Sequence, residues 1–207
     1  MARKISVGID VGTFQVKIVV AEKGQQAPVI LGTGCVESKG LRHGYVVNIP
    51  EVARTVRLAK EAAERQSGVK INSAFVSIGG IGLSGIISKG TIPIARQDNE
   101  IFEDDLEDVL QSAEEMIPKG ELQNRKIISG IPIEYLVDKK PVFGKALGMQ
   151  GGELSVKALF ITCLESHVRD LVDALAEAGI EILDVYAAPI AASFVTLTKS
   201  QKIAGCV

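Results

Sequence analysis

A carboxylate, a glycine, a hydroxyl and an amine stand close together in the stretch GIDVGTFQVK, as Asp10, Gly12, Thr13 and Lys17. Gly12 lets the backbone approach a ligand or adopt a positive φ, and the N–H groups of such a turn can point at one anion. Thr13 adds a hydroxyl, and Lys17 can reach the same phosphates as a point charge. Asp10 repels phosphate but suits a hydrated Mg²⁺. The stretch predicts half of a Mg²⁺-nucleotide site, although these residues are also ordinary turn chemistry.

The elements that must position this turn alternate in a recognisable order. The apolar pattern predicts three strands in a meander, over 4–10, 14–22 and 27–38. A glycine-containing loop follows over 40–48, and Asn48 begins a helix that ends at Gly68. Residues 73–78 predict another strand, so the order is β-β-β-α-β. This order favours a ligand site at the first turn over an isolated hairpin.

The composition changes after residue 79 and returns to an α/β rhythm near residue 160. We expect short β runs around Lys89 and Gly90, then a helix whose buried stripe includes Phe102 and whose acidic first turn, Glu103 to Asp105, is solvated. The remaining predicted elements are strands 125–138 and 153–164, helix 165–179, strand 180–188, helix 189–198 and a strand beginning in 202–207.

These elements predict a discontinuous α/β domain with a smaller α+β domain inserted into it. The α/β domain comprises 1–79 and 160–200, the insert comprises 80–159, and 201–207 begin a further lobe. The glycine pattern at 80–85 spells GxGxxG, but a β run follows it where a dinucleotide-binding fold requires a helix. We therefore interpret these glycines as the junction between the two domains.

Composition excludes several classes of function. The net charge is −2, without a basic patch, so we expect no nucleic-acid partner. No apolar run reaches the ~20 residues of a membrane span. Cys35, Cys163 and Cys206 lack metal-ligand spacing and are expected to be buried free thiols. His43 and His167 are expected at the surface or in caps.

The motif GIDVGT with Lys17 resembles the first phosphate motif of the actin, hexokinase and DnaK superfamily of ATPases. Four later segments resemble, in order, the FtsA family of bacterial actin-like cell-division proteins. They are SKGLRHGYVVNIPEVARTVRLAKEAAE, IISGIPIEYLVD, GMQGGELSVKALFITC and VYAAPIAASFVTLT. The resemblance covers nearly the whole chain.

The resemblance implies a ribonuclease H-like, actin-type lobe, domain 1A, with an inserted SHS2-like domain 1C. It implies a cytoplasmic ATP-binding scaffold that polymerises, links the FtsZ ring to the inner membrane at the division site and recruits later divisome proteins. Domain 1C would contribute to self-association. The second phosphate motif, the second lobe and a membrane-binding C-terminal helix would lie beyond Val207.

The resemblance also assigns roles to individual residues. Asp10 would coordinate Mg²⁺ through water, Gly12, Thr13 and Phe14 would offer donors to the β- and γ-phosphates, and Lys17 would face the same phosphates. Strong ATPases of the superfamily carry an acid or amide near the position of Ala188, where an alanine cannot orient water. We therefore expect no efficient ATPase.

Three alternative functions remain open at this point. A sugar or acetate kinase of the same superfamily would need a catalytic carboxylate near the hinge between lobes, and the sequence offers no convincing one. An actin-like scaffold of type IV pilus assembly would carry its insert in the same place. A protein-binding module would act through the insert alone.

Overall fold

The computed structural model describes residues 4–25 and 27–205, which form two compact units. The first unit comprises the residues up to Gly82 and those from Glu165 onward, and the second unit is Leu83–Leu164. In chain order, the elements are β1 (Ile5–Val11), β2 (Gln15–Glu22), β3 (Val29–Glu37), β4 (Leu41–Arg42), β5 (Tyr45–Val46), α1 (Ile49–Ser67), β6 (Ser73–Ile78), β7 (Ser84–Pro93), α2 (Glu103–Glu115), β8 (Arg125–Val137), β9 (Lys140–Val142), β10 (Glu153–Leu164), α3 (Glu165–Glu177), β11 (Glu181–Ala187), α4 (Ala188–Thr196) and α5 (Lys199–Ala204).

The first unit is built on a five-stranded mixed sheet with the order β11-β6-β1-β2-β3. Strands β1, β2 and β3 pair antiparallel, which confirms the predicted meander. Strand β6 pairs parallel to β1, and β11 pairs parallel to β6. Because these three strands run in the same direction, their carboxyl ends meet at one edge of the sheet, the edge where α/β proteins place ligands.

Helix α1 covers one face of this sheet and has the predicted ends. The Oδ1 of Asn48 accepts a hydrogen bond from the N–H of Glu51, and Gly68 ends the helix with a φ of 69°. Val52 and Val56 are fully buried on its inner face. A side chain on Gly34 of β3 would lie 1.9 Å from the carbonyl oxygen of Ala59, so glycine lets the helix approach the strand closely.

Several predictions for the first unit were wrong. The predicted loop 40–48 contains the β4–β5 hairpin. His167, expected at the surface or in a cap, is only 3% exposed, and Cys35 is exposed rather than buried. The predicted strand at 202–207 is replaced by helix α5 up to Ala204, and Cys206 lies outside the described residues.

The second unit packs helix α2 on a four-stranded antiparallel sheet with the order β7-β10-β8-β9. Phe160, Leu154 and Ile101 are fully buried in its core. The short β runs expected around Gly90 form one continuous strand, β7, which pairs with β10 along its length. A side chain on Gly90 would lie 2.2 Å from the backbone nitrogen of Ala113, so this glycine lets α2 lie close to β7.

The start of α2 differs from its prediction in two side chains. Phe102 is 43% exposed rather than part of the buried stripe, and Arg96 lies 4.8 Å over its ring. Asp105 is buried rather than solvated. It accepts hydrogen bonds from the N–H of Phe102 and from the guanidinium of Arg96. Its burial is therefore compensated by a capping interaction at the first turn of the helix.

Candidate functional site

Three turns meet at the carboxyl edge of the first unit's sheet. The turn at 12–14 joins β1 to β2, the turn at 43–44 joins β4 to β5, and the turn at 79–80 follows β6. The N–H of Gly44 donates to Oγ1 of Thr13 at 2.8 Å. A methyl group on Gly44, whose φ is 85°, would lie 3.0 Å from Cα of Gly80. Glycine is therefore what allows the second and third turns to touch.

The predicted phosphate turn offers free backbone donors, but Gly12 is not one of them. The N–H of Gly12 donates to the carbonyl of Gln15 at 3.2 Å, and its carbonyl accepts from Oγ of Ser38 at 2.5 Å. Within residues 4–25 and 27–205, no group accepts a hydrogen bond from the N–H of Thr13 or Phe14, and both residues are exposed. These two N–H groups are the ones that can bind an anion.

Gly12 contributes space instead of a donor, and it does not have a positive φ. A methyl group at this position would lie 3.0 Å from the carbonyl oxygen of Gln15 and 3.5 Å from Oδ2 of Asp10. A side chain would therefore crowd both the closing hydrogen bond of the turn and the carboxylate beside it.

Asp10 lies between two polar neighbours in the sheet. Its register partners are Lys17 on β2 and Ser77 on β6. The hydroxyl of Ser77 donates to Oδ1 of Asp10 at 2.7 Å, while Nζ of Lys17 lies 3.7 Å from Oδ2. The side chains of Lys17 and Asp10 are 56% and 43% exposed, so this ion pair is weak and open to exchange. The sheet brings the predicted aspartate and lysine together.

A groove of about 620 Å³ opens beside this polar cluster. Gly8 and Val19 line it on the sheet, Ala188 and Val195 line it on α4, and Asp10 lies at its polar part. The groove reaches Asp10 and Lys17, and Thr13 and Phe14 of the turn beside them are exposed. Ala188 faces this groove with only a methyl group, so it supplies no hydrogen bond to a water there.

The second unit has a larger groove, of about 870 Å³. It is lined by strands β8 and β9 and includes Ile133, Phe143 and Lys157. The side chain of Phe143 is fully exposed. This groove contains none of the predicted site residues, and its exposed apolar surface fits a protein contact better than a nucleotide.

A hydrated Mg²⁺ fits the donor set at Asp10. In the described part of the chain, no group of three or more His, Cys, Asp or Glu residues could enclose a metal ion. A single accessible carboxylate beside phosphate donors is the arrangement that Mg²⁺ uses when it keeps most of its waters. Asp10 would hold such an ion through water, and the ion would neutralise phosphate charge.

Ser77, Ser38 and Gly44 were missed by the sequence reasoning. Ser77 contacts the carboxylate, Ser38 holds the turn through Gly12, and Gly44 holds Thr13. Ser77 is the last polar residue of an alternating strand that ends at Ile78, just before Gly79 and Gly80, and this position was the signal available. The Ser38 contact follows from the pairing of β3 with β2, and the Gly44 contact depends on how the β4–β5 hairpin folds back.

His167 packs against the β4–β5 hairpin and does not line the groove beside Asp10. Its ring packs against the ring of Tyr45 with centroids 4.8 Å apart, and its imidazole is hydrogen-bonded to the backbone of Gly44. Burial lowers the pKa of His167, against the opposing effects of the Gly44 hydrogen bond and the charge of Asp170. The histidine thus supports the turn that contacts Thr13.

The family profile described as "SHS2 domain inserted in FTSA" matches residues 80–162. Over 206 residues, the chain is 33% identical to the cell division protein FtsA of Borreliella burgdorferi. The aligned region covers 99% of this chain and 49% of that protein. The chain is similar to FtsA proteins over nearly its whole length. FtsA of Bacillus subtilis is 30% identical over 203 residues, covering 98% of this chain and 45% of its own length. The chain spans about half the length of these FtsA relatives.

The fold of this chain is similar to that of a solved structure. The structure titled "PilM-PilN type IV pilus biogenesis complex" aligns with a TM-score of 0.59 at 14% identity, covering 91% of this chain and 49% of that one. At this identity, the likeness shows the fold alone. The fold is therefore α/β, with an actin-type lobe and an inserted SHS2 domain, as the sequence predicts. Across the described residues, no helix has the length and apolar character needed to span a membrane.

Proposed function

We propose that this chain is the nucleotide-binding lobe of an actin-like cell-division scaffold and holds the phosphates of Mg²⁺-ATP at its first turn. The first unit would be domain 1A and the second unit domain 1C. The observation that carries the proposal is the open turn: two exposed N–H groups, at Thr13 and Phe14, beside an accessible Asp10–Lys17 pair. Similarity to FtsA over the whole chain supports the same reading.

In this proposal, each residue has a separate task. The N–H groups of Thr13 and Phe14 bind phosphate oxygens, and Lys17 turns from Asp10 toward the same phosphates. Asp10 then accepts hydrogen bonds from the waters around Mg²⁺. Gly12 keeps the space between turn and carboxylate open. Because Ala188 cannot orient a water, the nucleotide acts as a structural or polymerisation ligand and hydrolysis is slow.

Titration of a fluorescent ATP analogue, with and without Mg²⁺, tests this site in the 207-residue chain. We expect weak binding, with a dissociation constant on the order of 1 mM, since the few contacts of one lobe must offset the cost of association. Asp10→Asn should remove the gain that Mg²⁺ gives, while Asp173→Asn, on an exposed turn of α3, should behave as wild type. Tight binding that ignores Asp10 would contradict the proposal.

Lys17→Gln supplies an independent check of the phosphate contact. This variant should weaken binding of ATP with or without Mg²⁺, because it removes a charge that acts on phosphate directly. Lys23→Gln removes the same charge from an exposed residue beyond the end of β2 and serves as the matched control. Equal binding by the two variants would place the phosphates elsewhere.

The proposal extends to partners known only through the resemblance. A scaffold of this family would contact FtsZ and later divisome proteins at the inner face of the membrane, and the second unit would contribute to self-association. The exposed Phe143 on the second unit supports such a contact. In sedimentation velocity, Phe143→Ser should reduce association, whereas Ile203→Ser, an exposed apolar residue of α5, should not. Unchanged association of Phe143→Ser would exclude this surface.

Cell division is the preferred role over pilus assembly because the relatives that match the whole chain are FtsA proteins. A small-molecule kinase is disfavoured because the side chain at the start of α4 is a methyl group. Release of ADP in the presence of candidate sugars or acetate separates the kinase from the scaffold. Rapid, acceptor-dependent release would favour the kinase.

A further inference from the structure

Ser77 donates a hydrogen bond to the carboxylate of Asp10 through a neutral side chain, and it comes from a different part of the chain than the phosphate turn. Its hydroxyl donates to Oδ1 of Asp10 at 2.7 Å, a normal length for a hydrogen bond to a carboxylate. The two residues are register partners across the parallel pair β1–β6, so the backbone of the sheet fixes their separation.

The two oxygens of Asp10 have different partners. Oδ1 is held by Ser77, whose bond is partly buried, whereas Oδ2 faces Lys17 across 3.7 Å between two half-exposed side chains. The Lys17 contact is screened by water and readily broken. The Ser77 contact is shorter, neutral and anchored on a strand within the sheet. Ser77 can therefore hold the carboxylate in place after Lys17 has moved toward a phosphate.

We propose that Ser77 is a positioning residue for the metal: it fixes the orientation of Asp10 so that Oδ2 is presented to the waters of a phosphate-bound Mg²⁺. The inference rests on the proposed nucleotide site. A hydrogen bond to a coordinating carboxylate from a residue behind it commonly sets the orientation and basicity of that ligand. Here the carboxylate acts through water, so its direction decides how many of those waters it can reach.

The surroundings of Ser77 favour this role over simple packing. Ser77 follows Phe75 on the same face of β6, and its other register partner is Tyr186 on β11. All three side chains line the groove that contains Asp10. An alanine would fit the same position of the strand without a steric cost, so its hydroxyl is the feature that needs a function.

The orientation of Asp10 can be measured without any nucleotide. In the 207-residue chain with labelled aspartate, three-bond couplings between the α and β protons of Asp10 report whether its side chain holds one rotamer. We expect one rotamer in wild type, averaging in Ser77→Ala, and recovery in Ser77→Thr, which keeps the hydroxyl. Ser73→Ala changes another serine on the same face of β6 and is the matched control. A single rotamer retained in Ser77→Ala would overturn the inference.

The Mg²⁺ dependence of ATP binding gives the functional arm. Ser77→Ala should reduce the gain in ATP affinity that Mg²⁺ gives by about tenfold, the lower end of the effect usual for such supporting residues. It should leave the affinity for ATP without Mg²⁺ unchanged. Combined with Asp10→Asn, the Ser77 change should have no further effect, because it acts through that carboxylate. Additive effects would contradict the inference. Absence of binding in wild type would instead refute the nucleotide site, and the couplings would still decide the orientation.

Discussion

The buried histidine behind the site leads to a prediction that joins stability to pH. His167 is 3% exposed, packs against Tyr45 with its ring tilted by 39°, and is hydrogen-bonded to the backbone of Gly44. His167→Phe keeps a ring against Tyr45 but leaves the Gly44 carbonyl without its partner. Gly44 is half-buried, so the loss of this hydrogen bond costs about 0.5–1.5 kcal/mol. We therefore expect His167→Phe to lower the free energy of unfolding by about 1 kcal/mol near neutral pH.

The sign of the pH dependence follows from the lowered pKa of His167. An unfolded histidine takes up a proton near pH 6.5, while burial in the folded protein disfavours the proton until a lower pH. The contribution of neutral His167 to the free energy of unfolding is thus fully present above about pH 6.5. It is lost as the pH falls toward the pKa of His167 in the folded protein. The variant has no such group. The difference between wild type and His167→Phe should therefore shrink on acidification, by at most about 1.4 kcal/mol per pH unit.

Urea unfolding followed by far-UV circular dichroism, at about pH 7.5 and about pH 5.5, measures both quantities. His43→Asn changes the other histidine of the chain, which is exposed and has a φ of 51° that asparagine tolerates, and should leave the unfolding free energy close to that of wild type. Hydrogen exchange in the β4–β5 hairpin localises the effect to the first unit. Equal stability of His167→Phe and wild type, or a difference that grows on acidification, would refute the reasoning.

Three further predictions concern close contacts and a cap, and thermal or acid unfolding measures each of them. Gly44 and Gly68 both have a positive φ, so an alanine at either position should cost roughly 1–2 kcal/mol. Gly44→Ala should destabilise more than Gly68→Ala, because only its methyl group would also approach a neighbouring backbone. Gly90→Ala should cost about 1–3 kcal/mol by pushing α2 from β7, while Gly120→Ala, in open space, should cost little. Asp105→Asn should cost about 1 kcal/mol at neutral pH, because the amide still accepts from the N–H of Phe102 but loses the charge that pairs with Arg96. Burial opposes the lowered pKa of Asp105, but the N–H of Phe102 and the Arg96 guanidinium outweigh it, so this contribution is lost as the pH falls below about 4. If Gly90→Ala or Asp105→Asn were as stable as wild type, the roles given to these contacts would be wrong.

The local features of the first unit could be read from the sequence because their signals are local. The hairpin β1–β2 places Asp10 opposite Lys17 through its own short turn. Helix α1 begins at Asn48 and ends at Gly68, where a polar cap and a glycine mark the ends. Each of these depends on residues a few positions apart, so no knowledge of the tertiary fold is needed.

The remaining parts of the site depend on contacts between distant residues. Ser77 reaches Asp10 only because β6 returns parallel to β1 after the crossover through α1. The burial of His167 depends on the β4–β5 hairpin folding against α3. Neither the parallel register nor this packing leaves a pattern in the sequence around Ser77 or His167. Neither contact could therefore be predicted from the periodicity of apolar residues.

One wrong prediction had a usable signal. The apolar letters of KIAGCV suggested a strand, but Thr198 and Gln201 stand three residues apart and cap α5 reciprocally. This spacing is the capping box that marks the start of a helix. Phe102 was misplaced for a related reason: it fits the helical period but precedes the helix as its cap residue. For α5, the two capping residues were a stronger signal than the apolar pattern.

Amide chemical-shift mapping by NMR tests the central claim most directly. ATP is titrated into the labelled chain in the presence of Mg²⁺, and the amides of both units are followed separately. The account predicts saturable shifts that concentrate on the N–H groups of Thr13, Phe14 and Lys17, and whose gain from Mg²⁺ is lost in Asp10→Asn. Shifts confined to the groove of the second unit, or no shifts at millimolar ATP, would contradict it.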